Sequence, residues 1–434
     1  MAKILLVTVG GSPAPIIRSI KEYHPDFVYF ICSEGPLPRG TEELVDGKGD
    51  PCGDKRKARC PKCGEMFFLG DPKGKSIVFQ TGLEAHQYRI WTVSDPDDLT
   101  ECYTKLKEIS EEICSHFPGE NEIVANYTGG TKTMSVALAY SACLNRNWKL
   151  ALNVGPRTDV VKVRGHDVFI TLDKSIAIVD YELRRVKDAL AKYDYSQAES
   201  ILRDLLKEPL DQDRRKELLT LYQKVRGFRL WDQFKHREAL ELISIFGGDL
   251  ADYIFQIKDI LGQLKKGNPY AKVADLINNS LRRKHQGRYD DAVARLYRAT
   301  EMFGQIALDR DFNLDPNFTI EDLSTVNTEV AKDYQGFVRS GGRVLLGLDK
   351  TYSLLFDLGH VAGEMYQKER KRVLNALARR NNSILAHGSV PLTESDFQEV
   401  YDVFVRFLKS CAKSMKIALD HRQLPTEWLL NTKE

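Results

Sequence analysis

Short apolar runs separated by turn residues dominate the first 178 positions of the chain. Continuous apolar and β-branched runs of this length predict strands that are buried on both faces of a parallel sheet. The predicted strands cover residues 4–9, 28–32, 122–125, 149–154 and 168–170. Helical patterns follow two of them, at residues 15–23 and 134–143. Repeated strand–turn–helix units predict an α/β, Rossmann-like N-terminal domain over about residues 1–178.

The strand pattern stops after this domain, and helical periodicity takes its place. Residues 179–270 predict a helical connector. Several of its turns place an aromatic residue shortly before an alanine, as tetratricopeptide repeats do, but the irregular spacing favours ordinary antiparallel helices. A small insertion rich in Gly, Lys, Asp and Cys interrupts the N-terminal domain at about residues 45–75.

Residues 271–434 predict an all-α helical bundle. Apolar side chains between positions 292 and 306 form a wide stripe on one helix face. Residues 312–323 are polar and contain proline, which predicts a loop. Thr393 and Asp396 have the spacing of a capping pair at the start of a last helix over residues 397–419.

Composition and charge limit the class of protein. The 434 residues are 42% hydrophobic, which supports ordinary globular cores, and the formal net charge of +2 argues against a protein that coats nucleic acid. No apolar run is long enough to span a membrane, and the start of the chain does not have the pattern of a secretory signal. We therefore expect a cytoplasmic protein with no membrane partner, whose eight cysteines are mostly reduced.

Two glycine turns follow predicted strands, Gly10-Gly11-Ser12-Pro13 and Asn126-Tyr127-Thr128-Gly129-Gly130-Thr131-Lys132. Glycine lets backbone N–H groups approach an anion, and the helix that follows adds partial positive charge. The spacing matches neither the dinucleotide fingerprint nor the P-loop, which argues against an oxidoreductase with a bound nicotinamide. Tight turns that bind no ligand are the alternative interpretation.

The insertion carries a candidate metal site. Cys60-Pro61-Lys62-Cys63-Gly64 is a Cys-x2-Cys knuckle, and Cys52 adds a third thiolate ligand. Structural zinc sites usually have four ligands, so His86, Cys32 or a residue of a partner chain would complete the set. Free surface thiols are the alternative. The segment holds no general base, so we expect no catalytic metal. The remaining cysteines, Cys102, Cys114, Cys143 and Cys411, are predicted core residues.

A predicted helix near the C-terminus carries Arg380, Asn381 and His387, and Gly388 is placed to end it. Arg380 and His387 are seven positions apart, nearly two helical turns, so their side chains leave the same face. A fixed cation next to a group that titrates near neutrality suits attack on a phosphodiester. Asn381 adds an amide beside them. A solvated helix end with its usual basic residues is the alternative interpretation.

These segments resemble known families. Arg380-Asn381 with Ser383-Ile384-Leu385-Ala386-His387 is similar to the Arg-(x4–6)-His motif of HEPN ribonucleases. The segments Val9-Gly10-Gly11-Ser12 and Asn126–Met134 resemble the two ligand-loop signatures of CARF domains. A CARF-like domain followed by a HEPN-like bundle resembles the CRISPR-associated CARF–HEPN ribonucleases of type III antiviral systems.

The resemblance implies a homodimer that binds cyclic oligoadenylate across its CARF domains and cleaves single-stranded RNA without a metal, leaving a 2′,3′-cyclic phosphate. It implies that Arg380, Asn381 and His387 are catalytic. It implies a ligand site formed by the two glycine turns and by the end of the second strand: Gly10, Gly11, Ser12, Ser33, Asn126, Thr128, Gly129, Gly130, Thr131 and Lys132. A non-catalytic regulator or binding module that senses a cyclic nucleotide remains an alternative, as does ring-opening of the ligand by the CARF domain.

Overall fold

A computed structural model describes the protein at residues 1–34, 40–47, 57–59, 64, 66–68, 75–155, 157–158, 162–163, 167–339, 341–381 and 389–426. The chain divides into two compact units, Met1–Asp180 and Tyr181–Glu434. The first unit is α/β and the second is helical, which confirms the predicted fold class of an α/β domain followed by all-α segments.

In its described residues, the first unit contains ten strands and five helices before α6. In chain order they are β1 (Lys3–Thr8), α1 (Ala14–Tyr23), β2 (Phe27–Ser33), α2 (Glu43–Asp46), β3 (Lys57–Arg59), β4 (Met66–Phe68), α3 (Ile77–Thr81), β5 (Tyr88–Val93), α4 (Leu99–His116), β6 (Glu122–Asn126), α5 (Lys132–Leu144), β7 (Trp148–Val154), β8 (Arg157–Thr158), β9 (Lys162–Val163) and β10 (Val168–Leu172). Six of the strands form one sheet in the order β10-β7-β6-β1-β2-β5, parallel except for β10.

β1 lies at the centre of this sheet, and its side chains alternate between two buried faces. Ile4 and Leu6 pack on one face with the apolar side of α4 and α5, and Leu5 and Val7 pack on the other with α1. Both faces are covered, so positions 4–7 of the strand are all apolar, which explains the uninterrupted hydrophobic run in the sequence. From β1 the chain builds the sheet first towards β2 and β5 and later towards β6 and β7. The strand order therefore reverses between β1 and β6.

The strand β5 was not predicted from the sequence, and the prediction that Cys114 is a core residue was wrong. Among the described strands, β5 pairs with β2 alone and so lies at the edge of the sheet, and its mixed sequence Tyr-Arg-Ile-Trp-Thr-Val lacks the apolar run of a central strand. Cys102 and Cys411 are core residues as predicted, and Cys143 is half-buried. Cys114 is exposed, because it lies on the solvent side of α4.

The second unit is built from helices, the first of which starts before the division between the units. They are α6 (Ser175–Ala191), α7 (Tyr195–Leu205), α8 (Gln212–Asp232), α9 (His236–Ile243), α10 (Ala251–Ile260), α11 (Ala271–His285), α12 (Tyr289–Phe312), α13 (Ile320–Val326), α14 (Thr328–Tyr334), α15 (Leu348–Asp357), α16 (Val361–Asn381) and α17 (Glu394–Met415), with 3-10 turns at Ser244–Leu250 and Gln335–Phe337. No helix in the described ranges is both long and apolar enough to cross a bilayer.

One hydrophobic core joins α11, α12, α15, α16 and α17. The predicted apolar stripe of α12 lies in it, with Leu296 and Phe303 fully buried. The capping box between Thr393 and Asp396 is present at the start of α17. The predicted loop at residues 312–323 is partly wrong, because Thr319 and Asp322 form a second capping box that starts α13 at Ile320.

Candidate ligand-binding and catalytic sites

The two glycine turns lie side by side at the carboxyl edge of the sheet. One follows β1 and the other follows β6, and these strands are neighbours at the point where the strand order reverses. Ligands of open α/β sheets bind in the crevice at such a point, because the loops on its two sides diverge. The helix α5 begins directly after the second turn, so its free N–H groups lie at the same edge.

The turns pack backbone against backbone, which is the reason for their glycines. A Cβ atom at Gly10 would lie 2.7 Å from the backbone nitrogen of Gly130, and one at Gly129 would collide with the carbonyl oxygen of Thr8. Gly130 also has a φ of +82°, a conformation that favours glycine. The Thr8 hydroxyl donates to the Gly129 carbonyl at 2.6 Å. The two turns therefore form a single structural element.

Three of the predicted ligand-binding side chains make their hydrogen bonds within the protein. Asn126 is buried, and its Oδ1 accepts from the Thr128 N–H at 2.9 Å and from the Thr128 hydroxyl at 2.6 Å. The Thr131 hydroxyl caps α5 by accepting from the Met134 N–H, and it donates to the Pro96 carbonyl at 2.6 Å. These side chains shape the turn that follows β6.

The groups that face solvent at this edge are suited to an anion. Ser12 and Lys132 are exposed, and neither side chain has a hydrogen-bond partner among the described residues. Lys132 is the first residue of α5, so its ammonium group and the helix N-terminus carry charge of the same sign. Ser33, at the end of β2, is half-buried, and its hydroxyl lies 3.3 Å from that of Thr41.

The sequence analysis missed a buried polar cluster beneath these turns. Asn153 at the end of β7, Ser19 on α1 and Asp167 before β10 are all less than 5% exposed. Asn153 and Ser19 both contact the Asn126 side chain. A polar residue within an apolar strand, as at position 153 in Ala151-Leu152-Asn153-Val154, is the signal that could have indicated the cluster.

The candidate catalytic residues lie at the end of α16 and just beyond it. Arg380 and Asn381 are the last two residues of this helix, and Asn381 is half-buried. The side chain of Arg380 and residues 382–388, which include His387, lie outside the described residues. The roles of Arg380, Asn381 and His387 therefore stay predictions.

Residues on both sides of this segment contact neighbouring helices. Arg379 binds the carboxylates of Asp396 at 3.2 Å and Glu399 at 2.6 Å, both on α17. After the segment, the Leu392 N–H donates to Asp290 at the start of α12, at 3.1 Å. Contacts to two helices of the same bundle thus hold both ends of the candidate catalytic segment.

The predicted zinc ligands Cys52, Cys60 and Cys63 lie outside the described residues. Within the described part of the chain, no group of three or more His, Cys, Asp or Glu residues could hold a metal ion. Of the two candidates within this chain for a fourth ligand, Cys32 is fully buried in the core, where burial raises the pKa of its thiol. His86 is exposed and lies 3.3 Å from Glu84.

Comparisons with known proteins agree with these features. The Csm6 6H domain family matches residues 179–266, and the Csm6 HEPN domain family matches residues 260–410, a range that includes Arg380 and His387. A solved structure of Enterococcus italicus Csm6 bound to cyclic hexa-2'-fluoro-hexa-dAMP has a similar fold, with a TM-score of 0.58 and 13% sequence identity. The similarity covers 95% of this chain and 94% of that one. No curated protein matches the sequence.

Two adjoining Csm6 domain families thus account for residues 179–410, and the fold similarity extends over the α/β unit that precedes them. The chain belongs to the CRISPR-associated CARF–HEPN ribonuclease family, which includes Csm6.

Proposed function

We propose that the protein is a cytoplasmic endoribonuclease of CRISPR antiviral defence that cyclic oligoadenylate activates. The observation that carries this proposal is the match of the HEPN family over residues 260–410, since it contains the Arg380-x6-His387 motif. The anion-binding features of the paired glycine turns support a phosphate-rich ligand at the other end of the chain.

The proposed chemistry uses the RNA itself as the nucleophile. A base removes the proton from the ribose 2′-OH, the 2′-oxygen attacks the adjacent phosphorus, and the 5′-oxygen leaves with a proton from an acid. The products are a 2′,3′-cyclic phosphate and a 5′-hydroxyl. His387 transfers these protons, and Arg380 stabilises the negative charge that develops on the phosphate. Asn381 orients the imidazole or the phosphate, and no step requires a metal ion.

One Arg–His pair supplies either the acid or the base, so the proposed active site needs two chains. Symmetric homodimers are the commonest oligomers and would place two pairs at one axis. An exposed apolar stripe supports dimerisation of the CARF unit: Val136, Tyr140 and Leu144 lie four residues apart on α5 and are 47–56% exposed. The stripe starts one turn after the ligand turn, so a dimer formed there would hold the two ligand sites close to its axis.

Activation follows if the ligand binds the cleaving state of the dimer more tightly than the resting state. A ligand shifts an equilibrium only by this difference in affinity, whatever the distance between the sites. The similar Enterococcus italicus protein is bound to a cyclic hexa-nucleotide analogue, which makes cyclic hexa-adenylate the first ring to test.

Replacement of His387 tests the catalytic assignment. His387→Ala should lower RNA cleavage at saturating activator by about 100-fold or more, because general acid–base catalysis contributes that much. Binding of cyclic oligoadenylate and the dimeric state should be unchanged. A dimeric His387→Ala protein that cleaves at near wild-type rate would show that the active site lies elsewhere.

Introduction of a charged residue into the apolar stripe of α5 tests whether the stripe forms the proposed dimer interface. Tyr140→Glu should shift the protein towards the monomer in light scattering and should abolish activation, since it places a carboxylate in an apolar interface. Phe79→Glu is the matched control, because Phe79 is also a largely exposed aromatic residue and lies on another helix of the same unit. Equal effects of the two substitutions would contradict the assignment of the stripe.

A further inference from the structure

Asn153 occupies the centre of the buried polar cluster beneath the ligand turns. Its amide oxygen receives hydrogen bonds from Ser19 at 2.8 Å and from Asn126 at 2.8 Å. Its amide nitrogen donates to the carboxylate of Asp167 at 2.9 Å and to the carbonyl of Pro15 at 3.1 Å. Four groups from three different segments, α1, the end of β6 and the residue before β10, thus meet at one buried side chain.

The partners of Asn153 determine which way its amide points. The carboxylate of Asp167 and the carbonyl of Pro15 can only accept hydrogen bonds, so they require the amide nitrogen on their side. The amide oxygen then faces the donors of Ser19 and Asn126. Asp167 itself is held by Arg18, whose Nε lies 3.4 Å from its carboxylate and whose Nη1 donates to its carbonyl.

The orientation of the Asn153 amide determines that of the Asn126 amide, at the start of the second glycine turn. Because the Asn126 amide nitrogen donates to Asn153 and to Ser19, its amide oxygen points the other way, towards the N–H and hydroxyl of Thr128. The backbone N–H of Asn153 donates to the Thr128 hydroxyl at 2.8 Å, so Asn153, Asn126 and Thr128 form a closed ring of hydrogen bonds. Along this chain of side chains, hydrogen bonds are therefore donated in one direction, from Thr128 to Asn126, from Asn126 to Asn153, and from Asn153 to Asp167.

The cluster also reaches the helix that follows the first glycine turn. Pro15, Arg18 and Ser19 all lie on α1, which starts at Ala14, two residues after Ser12. Asn153 is therefore bonded to the helix after one turn and, through Asn126 and Thr128, to the other turn. The direct backbone packing of the glycines joins the turns at one point, and this cluster joins them at a second.

We propose that Asn153, oriented by Asp167, is a positioning residue that sets the geometry of both ligand turns and thereby the affinity for the cyclic ligand. This inference rests on the proposed function, since it takes cyclic oligoadenylate as the ligand. Neither residue is assigned to contact the ligand. Their effect passes through the Thr128 backbone and the start of α1.

Asn153→Asp tests the direction of the hydrogen bonds with almost no change of shape. It places a carboxylate oxygen against the carboxylate of Asp167 and the carbonyl of Pro15, where only acceptors face it. Affinity for the cyclic ligand that activates the wild type should fall about 10- to 100-fold, because buried groups lose their partners. RNA cleavage at saturating ligand should stay within about threefold of wild type, since the HEPN residues are unchanged.

A second substitution separates this role from a merely structural one. In the double variant Asn153→Asp with Asp167→Asn, the amide at position 167 can donate to the carboxylate at position 153, so affinity should recover by about fivefold or more. Asn145→Asp is the control, because Asn145 caps the other end of α5, at the opposite edge of the sheet. It should leave the affinity within about threefold of wild type.

The measurement is the Kd for fluorescent cyclic oligoadenylate, with thermal unfolding of each variant alongside. Wild-type affinity in Asn153→Asp, or a double variant that binds no better than the single one, overturns the inference. A wild-type protein that binds no ring overturns the proposed function instead.

If Asn153→Asp does not fold, the single variant Asp167→Asn is measured in its place. Its expected loss is about three- to tenfold, because the new amide oxygen can still accept, and an unchanged affinity overturns the inference.

Discussion

Arg379 and Asp396 form an ion pair that joins the last turn of α16 to the first turn of α17, with 3.2 Å between Nη1 and Oδ1. Asp396 also accepts from the hydroxyl and the N–H of Thr393, and these bonds hold the pKa of its carboxyl below the usual value. Glu399 binds the other end of the Arg379 guanidinium. Of the two adjacent arginines, Arg379 is thus engaged with α17, which leaves Arg380 as the candidate for the RNA phosphate.

The two arginines should therefore respond differently to the same substitution. Arg380→Gln should lower kcat/KM for RNA about 100- to 1,000-fold, as expected for loss of a group that stabilises charge in the transition state. Arg379→Gln should stay within about fivefold of wild type, because an exposed ion pair contributes little. Cleavage rates at saturating activator measure both. A larger loss in Arg379→Gln than in Arg380→Gln would reverse the assignment.

An added methyl group at Gly10 should disturb the ligand site. Gly10→Ala places a carbon against the backbone of Gly130, and forcing an atom into such a packed contact typically costs ~1–3 kcal/mol. Affinity for the cyclic ligand should fall about tenfold or more in calorimetric titration. Gly82→Asn serves as control, because Gly82 has open space around it and asparagine tolerates its φ of +73°. An unaffected Gly10→Ala protein would mean that the turns do not meet the ligand.

A buried ion cluster should make the helical unit sensitive to acid. Asp275 is fully buried and binds His236 at 3.0 Å and Arg282 at 3.3 Å. Burial alone would raise the pKa of Asp275, but the hydrogen bond from His236 and the charge of Arg282 outweigh it and lower the pKa. A lowered pKa means that this carboxylate stabilises the fold above its unfolded pKa of about 4, and that the stabilisation is lost as the pH falls through the folded pKa.

Asp275→Asn should thus lower the free energy of unfolding at neutral pH by about 3 kcal/mol, because it leaves Arg282 buried without one of its counter-charges. The difference from wild type should shrink below about pH 4. Thermal unfolding at several pH values measures both effects. Asp204→Asn, which breaks an exposed pair with Lys207, is the control and should change little. A constant difference across the pH range would contradict the account.

Zinc in the insertion stays a prediction that metal analysis can decide. Wild-type protein purified without chelator should contain about one zinc per chain, and replacement of both Cys60 and Cys63 by serine should remove it. Cys114→Ser is the control, because Cys114 is an exposed thiol far along the sequence from the insertion. Zinc-free wild-type protein, or a double variant that keeps its zinc, would exclude the knuckle as a metal site.

The central strands and the glycine turns were predictable because their causes are local. β1 is buried on both faces, so its sequence is an apolar run, and glycine is required where the backbones of Gly10 and Gly130 meet. The edge strand β5 was not predictable in this way, because in the part of the chain that the structure describes one of its sides has no partner strand, and polar residues are tolerated there.

The contacts of Asn153 could not be predicted from the sequence. One asparagine in a strand gives no indication that it bonds to residues 134 and 138 positions earlier, on α1. The sequence also offers no way to separate side chains that face a ligand from those that shape a turn, and Asn126 and Thr131 were predicted as the former although their hydrogen bonds are internal. Such distinctions depend on contacts between distant segments.

Cleavage of a fluorophore–quencher RNA in EDTA, with and without cyclic tri-, tetra- and hexa-adenylate, tests the central claim most directly. We expect slow cleavage without ligand and strong activation by one ring size, with no requirement for a metal ion. Activation would link the glycine turns to the Arg380–His387 motif in one experiment. No cleavage with any of the three rings, from protein shown to be dimeric, would contradict the claim that this chain is a ligand-activated ribonuclease.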